Sequence, residues 1–242
     1  MLKKIKHFAR RLARIASFAG ERSYSQSGED MILRLAFCSL GIYRPRYLDV
    51  GAHHPTLLNN TAFFYRLGAC GVNVEPNAVL AQRFHSARPK DINLNIGVSD
   101  AAGVLDFYLM SNPELSTFCP EQADRLVRMR ACKIERIEKI KVEPVNHVVS
   151  QYFPNNGLEF LSLDTENFDL RILRSLDFSR HAPIAICVET IQFATDGTSG
   201  KNREIELFLK DHDYFVYADT HINTIFFHSS RFRELKSAMI GS

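Results

Sequence analysis

The sequence predicts an α/β fold, in which a mainly parallel sheet is covered by helices on both faces. Short apolar segments typical of buried strands alternate along the chain with segments of helical periodicity. The segment 47–77 shows the order strand, turn, helix, strand that parallel pairing requires. The last two strands, at 214–219 and 223–228, follow each other closely and are expected to form an antiparallel pair.

Each element has its own signal. YLDV (47–50) ends at Gly51, where the backbone can turn tightly, and Asn59 or Asn60 can cap a helix that ends near Gly68. The remaining strands are expected at 71–75, 92–99, 104–110, 139–145, 158–164, 182–189, 214–219 and 223–228. The turn at 100–103 suggests that 92–99 and 104–110 form a hairpin. The other helices are expected at 27–40, 78–86, 121–129, 169–175 and 202–211.

The chain is expected to contain one main domain with two short extensions. The domain covers residues 23–230, the segment 1–22 forms a basic helix, and 231–242 is a C-terminal tail. Residues 111–138 are polar and charged, which favours a mobile cover over a ligand site.

Composition and charge exclude several function classes. Residues 1–22 carry seven Lys or Arg and one Glu, whereas the whole chain has a net charge of only +3, so the body is not a basic nucleic-acid binder. No apolar run reaches the roughly 18 residues of a membrane-spanning helix. The five cysteines are scattered, which argues against a zinc site or a disulfide framework and predicts free thiols in a reducing cytoplasm.

The basic N-terminal segment has its own pattern. Leu2, Ile5, Ala9 and Leu12 recur at helical spacing, while most of the Lys and Arg residues fall on the opposite face. Such a helix packs on its own domain, docks on a partner, mediates self-association, or lies peripherally on the anionic inner face of a membrane. The sequence leaves these four uses open.

The turn after the first strand predicts a nucleotide site. Gly51 precedes Glu75, at the end of the second strand, by about the 20-residue interval that places a carboxylate on ribose hydroxyls. The turn lacks the GxGxxG pattern that a pyrophosphate favours. S-adenosylmethionine, which has a ribose but no phosphate, fits this turn.

Acidic residues end five strands of the predicted sheet, and the carboxyl ends of parallel strands are where such sheets bind ligands. They are Asp49, Glu75, Asp100, Asp164 and Glu189. Capping of the next helix or turn is the alternative role for each of them. That alternative suits Asp100 best and Glu75 poorly, because Pro76 follows Glu75.

Six segments in the same order resemble the FkbM family of S-adenosylmethionine-dependent O-methyltransferases. They are SYSQSGEDMIL (23–33), DVGAHHP with NNTAFFY (49–65), NVEPN (73–77), NIGVSD (95–100), FLSLDTENFD (160–169) and ICVET (186–190). The resemblance implies a Rossmann-like class I methyltransferase fold with a mainly parallel seven-stranded sheet and an antiparallel final strand. It also implies methyl transfer to a hydroxyl of a sugar or glycoconjugate.

With S-adenosylmethionine as cofactor, Gly51 admits its methionine part, and Asp49 orients the turn or accepts a hydrogen bond from the cofactor's amine. Glu75 accepts hydrogen bonds from two ribose hydroxyls. The family pattern places the adenine at residues 98–100, where Ser99 and Asp100 are expected to contact it.

Two further cofactor contacts come from the SYSQSGED motif. Gln26 and Glu29 are expected to close over the methionine end of the cofactor. Capping of the helix that follows is the equally weighted alternative for both side chains.

Two groups of side chains are candidates for removing the proton of the acceptor hydroxyl. The first is His53 and His54 in the turn beside the sulfonium. The second is Asp164 and Glu166 after one strand, with Glu189 at the end of the next. Carboxylates that converge there, Asp164 and Glu189 in particular, would also bind Mg²⁺ or another divalent cation.

Two other function classes compete with this interpretation. One is a different nucleotide-dependent enzyme, such as an oxidoreductase, which the missing GxGxxG disfavours. The other is a non-catalytic module that binds a partner or a membrane through its basic helix. Neither the acceptor nor the position that is methylated follows from the sequence.

Overall fold

The computed structural model describes residues 20–193 and 199–241. The basic helix predicted over residues 1–22 lies outside this part of the chain, apart from its last three residues, which are not helical. Of the described helices, none has the length and apolar character needed to cross a membrane.

The main sheet has seven strands, and it confirms the predicted α/β class. They are β1 (Tyr47–Val50), β2 (Gly71–Val74), β3 (Ile92–Leu94), β7 (Phe160–Leu163), β8 (Ala185–Glu189), β11 (Tyr214–Asp219) and β12 (Asn223–His228). Their order is β11-β12-β8-β7-β1-β2-β3. The five strands from β8 to β3 are parallel, whereas β12, the last strand, runs antiparallel to both β8 and β11.

A second sheet corrects the predicted hairpin. It contains β4 (Gly97–Ser99), β5 (Gly103–Met110) and β6 (Ile134–Pro144), in the order β4-β6-β5. The expected strand 92–99 is therefore split between two sheets, and β5 pairs with β6 instead of with β4. Asn95 lies at the break, where its side-chain amide donates to the carbonyls of Glu75 and Pro76 at 2.9 Å. A further short pair joins β9 (Ile191–Phe193) to β10 (Ser199–Lys201).

Eight α-helices connect and cover these strands in the described part of the chain. They are α1 (Glu29–Ser39), α2 (Ala62–Arg66), α3 (Ala78–Ala87), α4 (Pro120–Arg128), α5 (Val145–Tyr152), α6 (Asp169–Ser175), α7 (Arg203–Asp211) and α8 (Ser229–Gly241). A short 3₁₀ helix covers Pro113–Leu115. The segment after 230 was expected to be a tail, but up to Gly241 it belongs to α8, whose Phe232 packs into the core.

The strand residues alternate between two cores because successive side chains point to opposite faces of a sheet. Leu48 and Val50 of β1 belong to the core that α5, α6 and α7 cover. Tyr47 belongs to the other core, beneath α1, α2 and α8. Phe37 lies at the centre of that second core, with its ring centroid 5.5 to 6.0 Å from those of three other phenylalanines. This packing fixes the strand ends on which the site depends.

Candidate active site

A cavity lies beyond the carboxyl ends of β1, β2, β7 and β8, where ligands bind in sheets of this kind. Its walls are Gln26, Asp49, Val50, Gly51, Ala52, His53, Leu58, Asn59, Asn60, Val74, Glu75, Pro76, Gly97, Val98, Phe107, Pro113, Glu114, Leu115, Ser116, Phe118, Ser162, Asp164, Thr165, Glu166, Glu189 and Ile222. Six of these residues are acidic, and no Lys or Arg of the described chain is among them.

Gly51 ends β1 with a φ of 76°, a conformation that glycine adopts without strain. A Cβ atom at this position would lie 1.8 Å from the carbonyl oxygen of Asp164. Glycine is therefore required at position 51, because any side chain would collide with the backbone at the end of β7. The same close approach brings the turn after β1 and the acid after β7 to one wall of the cavity.

Asp49 supports the turn after β1 through hydrogen bonds of its side chain. Its side chain is 3% exposed and accepts hydrogen bonds from the Asn59 amide at 3.0 Å and the Thr61 hydroxyl at 2.7 Å. The Asn59 amide also donates to the carbonyl of Ala52, and the Asn59 side-chain oxygen accepts from the backbone of Ala62. Burial raises the pKa of Asp49. Asp49 thus holds the turn, as one of its two predicted roles requires.

Arg88, which the sequence analysis did not identify, completes this support. It is 1% exposed and donates to the Pro55 carbonyl, the Asn59 side-chain oxygen at 2.7 Å and the Thr61 hydroxyl at 2.7 Å. Its guanidinium also lies 3.9 Å from the carboxylate of Asp91. The only signal in the sequence is an arginine just before Pro89, and partners 27 to 33 residues away cannot be deduced from that.

Glu75 lies at the end of β2 with both carboxylate oxygens fixed. One accepts from the backbone N–H of His53 and the other from that of Asn77, each at 2.8 Å. The side chain is 5% exposed, and burial raises its pKa to about 7. Since each oxygen keeps a second lone pair, the carboxylate can still accept from two hydroxyls in the cavity.

The two histidines of the turn have different surroundings. His53 lines the cavity with a φ of 52°, and desolvation lowers the pKa of its ring. His54 does not line the cavity, since its Nδ1 accepts from the backbone N–H groups of Thr56 at 3.1 Å and Leu57 at 3.0 Å. The structure thus places His54 in the support of the turn and does not bring it to the cavity with the other candidate bases.

Of the SYSQSGED pair, only Gln26 lines the cavity. Glu29 is fully buried and accepts from the Thr220 hydroxyl at 2.6 Å and the Asn223 amide at 3.0 Å. It also accepts from the backbone N–H of Ser27 at 2.8 Å. Glu29 is thus corrected from a cofactor contact to a side chain that joins the start of α1 to the turn between β11 and β12.

The predicted adenine contacts are also corrected. Arg171 of α6 forms an ion pair with Asp100 at 2.7 Å and holds its carboxylate outside the cavity. Ser99 is buried and donates to Asp100 at 2.8 Å, so it does not line the cavity either. Of residues 98–100, only Val98 lines the cavity, next to Gly97.

Two aromatic residues that the sequence analysis missed complete this apolar wall. Phe107 of β5 and Phe118 of the expected cover lie with their ring centroids 4.7 Å apart. A Cβ atom on Gly97 would lie 2.5 Å from the Phe118 ring, so a glycine is needed for the ring to pack here. The cover therefore contributes to the cavity through Phe118 and through its 3₁₀ helix, Pro113–Leu115. Its mobility stays a prediction.

Three carboxylates converge at the other end of the cavity. Asp164, Glu166 and Glu189 each offer an oxygen atom within 4.8 Å of the other two. Burial raises the pKa of Asp164 to about 7 and that of Glu189 to about 11, and it raises the pKa of Glu166 well above its usual value. The charge of Asp169 adds to all three shifts, and the charge of Asp164 adds to those of Glu166 and Glu189. The side chain of Asp164 is exposed to the cavity, and the protein around the cavity reduces its contact with bulk water. Within the described residues, no Lys or Arg forms an ion pair with any of the three.

The turn that carries Glu166 has an unusual backbone. Glu166 and Asn167 have φ angles of 53° and 73°, and asparagine tolerates this left-handed region better than most residues do. The Thr117 hydroxyl of the cover donates to the Glu166 carbonyl at 2.8 Å. After the turn, Asp169 is 3% exposed and accepts from the backbone and hydroxyl of Thr165 at 2.9 and 2.8 Å. These contacts fix the position of the carboxylates.

The strand order and the cavity at the strand ends define a class I methyltransferase fold. The family model described as "Methyltransferase FkbM domain" matches residues 49–216, which is more than half of the chain. The chain belongs to the FkbM methyltransferase family.

Comparison with solved structures finds a similar chain in an FkbM methyltransferase from Methylobacillus flagellatus KT. The TM-score is 0.40 and the sequence identity 13%, over 76% of this chain and 43% of that one. This chain therefore spans less than half the length of that structure. No match was found among curated proteins.

Proposed function

We propose that this methyltransferase transfers the methyl group of S-adenosylmethionine to a hydroxyl of a sugar or glycoconjugate. One observation carries the proposal: Glu75, with a lone pair free on each oxygen, and the cluster of Asp164, Glu166 and Glu189 line a single cavity. Glu75 suits a ribose with two hydroxyls. The cluster suits an acceptor whose hydroxyl must lose a proton.

The residues present fit the cofactor. Gly51 and Ala52 provide a turn held by Asp49, next to the strand end that carries Asp164. The apolar wall with Phe107 and Phe118 suits the flat adenine ring. S-adenosylmethionine supplies a methyl group on a positively charged sulfur, which an oxygen nucleophile displaces in line.

We assign proton removal to Asp164. Asp164 lies in the cavity at the end of β7, and the surrounding protein raises its pKa from the ordinary range of a carboxyl towards neutral pH, where a general base is most effective. The Asp164 carboxylate would take the hydroxyl proton as the acceptor oxygen received the methyl group, and the cofactor would leave as S-adenosylhomocysteine. His53 is the second candidate base, because its lowered pKa keeps the ring neutral and able to accept a proton.

A divalent cation is an alternative use of the same cluster. The carboxylate oxygens of Asp164, Glu166 and Glu189 are the donors that Mg²⁺ prefers, and they lie within 4.8 Å of one another, so small movements of the side chains would bring all three to one ion. Bound there, such an ion would lower the pKa of an acceptor hydroxyl by acting as a Lewis acid. We keep direct proton transfer to Asp164 as the leading mechanism.

The polar groups around the cluster support a sugar as acceptor. Asn60 and Gln26 line the cavity beside the acids, and amide and carboxylate groups together are suited to binding neighbouring hydroxyls. All five cysteines are free thiols, which supports the cytoplasm as the location. Contact of the basic segment 1–22 with a membrane surface or a second copy stays a prediction.

Two measurements test the proposal. Calorimetry with S-adenosylhomocysteine reports cofactor binding, and NAD titrated under the same conditions is the control for the oxidoreductase alternative. Incubation with methyl-tritiated S-adenosylmethionine and glycan extracts reports transfer to an acceptor. Binding of S-adenosylhomocysteine together with labelled glycan supports the proposal. Absence of cofactor binding would favour the non-catalytic module, and binding of NAD would favour the oxidoreductase.

A further inference from the structure

Charge is balanced differently in the two halves of the cavity. In the half assigned to the cofactor, Asp49 is hydrogen-bonded to Asn59 and Thr61, and the charge of the nearby Arg88 favours its ionised form. Glu75 accepts from two backbone N–H groups. Both carboxylates therefore have partners within the protein.

The acceptor half has no such compensation. Asp164, Glu166 and Glu189 share a small volume, and a fourth acid, Glu114, lines the cavity from the exposed 3₁₀ helix of the cover. The charge of Glu114 contributes to the raised pKa of both Asp164 and Glu166. None of the Lys or Arg residues in the described chain lines this cavity. The sulfonium of the methyl donor brings one positive charge to four acids.

We propose that the acceptor end of the cavity is selective for acceptors that carry a protonated amine beside the reacting hydroxyl, and that it rejects acceptors with a phosphate or carboxylate there. The inference rests on the proposed function, because it takes the cavity as the site where cofactor and acceptor meet. A cation between these side chains stabilises their ionised forms and displaces the protons that their raised pKa values retain at neutral pH. An anion stabilises no ionised carboxylate and is repelled by the acids that are charged, which is how a site excludes a competing ligand.

The charge at the reacting position can be measured without knowledge of the acceptor. Sinefungin carries a protonated amine where S-adenosylmethionine carries its methyl group, whereas S-adenosylhomocysteine is neutral there. With EDTA present throughout, we expect the wild type to bind sinefungin at least about tenfold more tightly than S-adenosylhomocysteine. Glu189→Gln should reduce this ratio. Equal affinities of the wild type for the two ligands would overturn the inference, whereas failure to bind either would refute the proposed function itself.

Selection among acceptors is tested with three matched sugars. Methyl glucosaminide is cationic, methyl glucoside is neutral and methyl glucuronide is anionic. Their binding is measured by saturation-transfer NMR with the protein saturated with S-adenosylhomocysteine. We expect the cationic sugar to bind most tightly and the anionic sugar most weakly. Binding of the anionic sugar as tight as that of the cationic one would overturn the inference.

Glu114→Gln provides the matched variant, because it removes one charge from an exposed position on the cover. This variant should reduce the ratio between the affinities for the cationic and the anionic sugar by about threefold to tenfold. Glu135→Gln is the control, since Glu135 is also exposed, in β6, but does not line the cavity. An equal narrowing by both variants would show that the net charge of the protein, and not this cavity, discriminates between the sugars.

Discussion

Replacement of Glu75 by Gln tests whether this carboxylate serves the cofactor or the fold. Burial raises its pKa from 4.5 to about 7, so the ionised form costs about 3 kcal/mol of folding free energy above pH 7. When a carboxyl group has a higher pKa in the folded than in the unfolded protein, the protein becomes less stable as the pH rises from the unfolded-state pKa to the folded-state pKa. Gln removes this cost, but its NH₂ group faces a backbone N–H of His53 or Asn77, which costs about 1–3 kcal/mol.

The two contributions nearly offset each other at pH 8, so Glu75→Gln should change the stability of the free protein little there. Cofactor binding should weaken at least tenfold, since a charge-assisted hydrogen bond is worth roughly 1.5–3 kcal/mol and two are lost. Urea unfolding and calorimetry with S-adenosylhomocysteine measure the two effects separately. In the wild type, affinity should also fall as the pH drops through about 7, where Glu75 gains a proton. An unchanged dissociation constant in Glu75→Gln would refute the assignment to the ribose.

Three further predictions concern the support of the site, the cation and the N-terminus. Arg88→Met should lower the free energy of unfolding by about 3–5 kcal/mol, because it removes the cation beside the buried acids Asp49 and Asp91. Arg83→Met, on the exposed face of α3, which ends just before Arg88, is the control, and an equal loss in both variants would contradict the argument. Treatment with EDTA should leave turnover unchanged if Asp164 takes the proton directly, and a loss that Mg²⁺ restores would establish the cation alternative. Removal of residues 1–20 should preserve affinity for S-adenosylhomocysteine but change liposome binding or oligomeric mass; unfolding with neither change would show that the segment belongs to the core.

Local signals in the sequence predict the first part of the sheet well. The strand at 47–50, the turn at Gly51 and the helix at Ala62–Arg66 each have short-range determinants, namely an apolar run, a glycine and the asparagine cap Asn59. The hairpin between 92–99 and 104–110 was wrong because a long-range partner competes for β5. That partner is β6, which starts some 30 residues later and offers eight paired positions.

The difference between short-range and long-range determinants also decides which site residues could be predicted. Topology brings the acids at the ends of parallel strands together, so Asp49, Glu75, Asp164 and Glu189 could be placed at one cavity from the sequence. Asp100 could not be excluded in this way, because its partner Arg171 is 71 residues away.

The apolar wall of the cavity was missed for a similar reason. Phe107 and Phe118 lie in β5 and in the cover, and only the packing of the second sheet brings them to the cavity. Nothing in the local sequence around either residue indicates a ligand.

Asp164→Asn tests the central claim, that the carboxylate at the end of β7 removes the acceptor proton. The substitution keeps the size of the side chain and removes its charge. The assay is transfer of tritiated methyl from S-adenosylmethionine to glycan extract, with calorimetry on S-adenosylhomocysteine alongside. We predict that the wild type labels the glycan, that the variant does so about 10²-fold more slowly, and that its cofactor affinity changes little. Full turnover in Asp164→Asn would contradict the account, because the carboxylate cluster would then be structural.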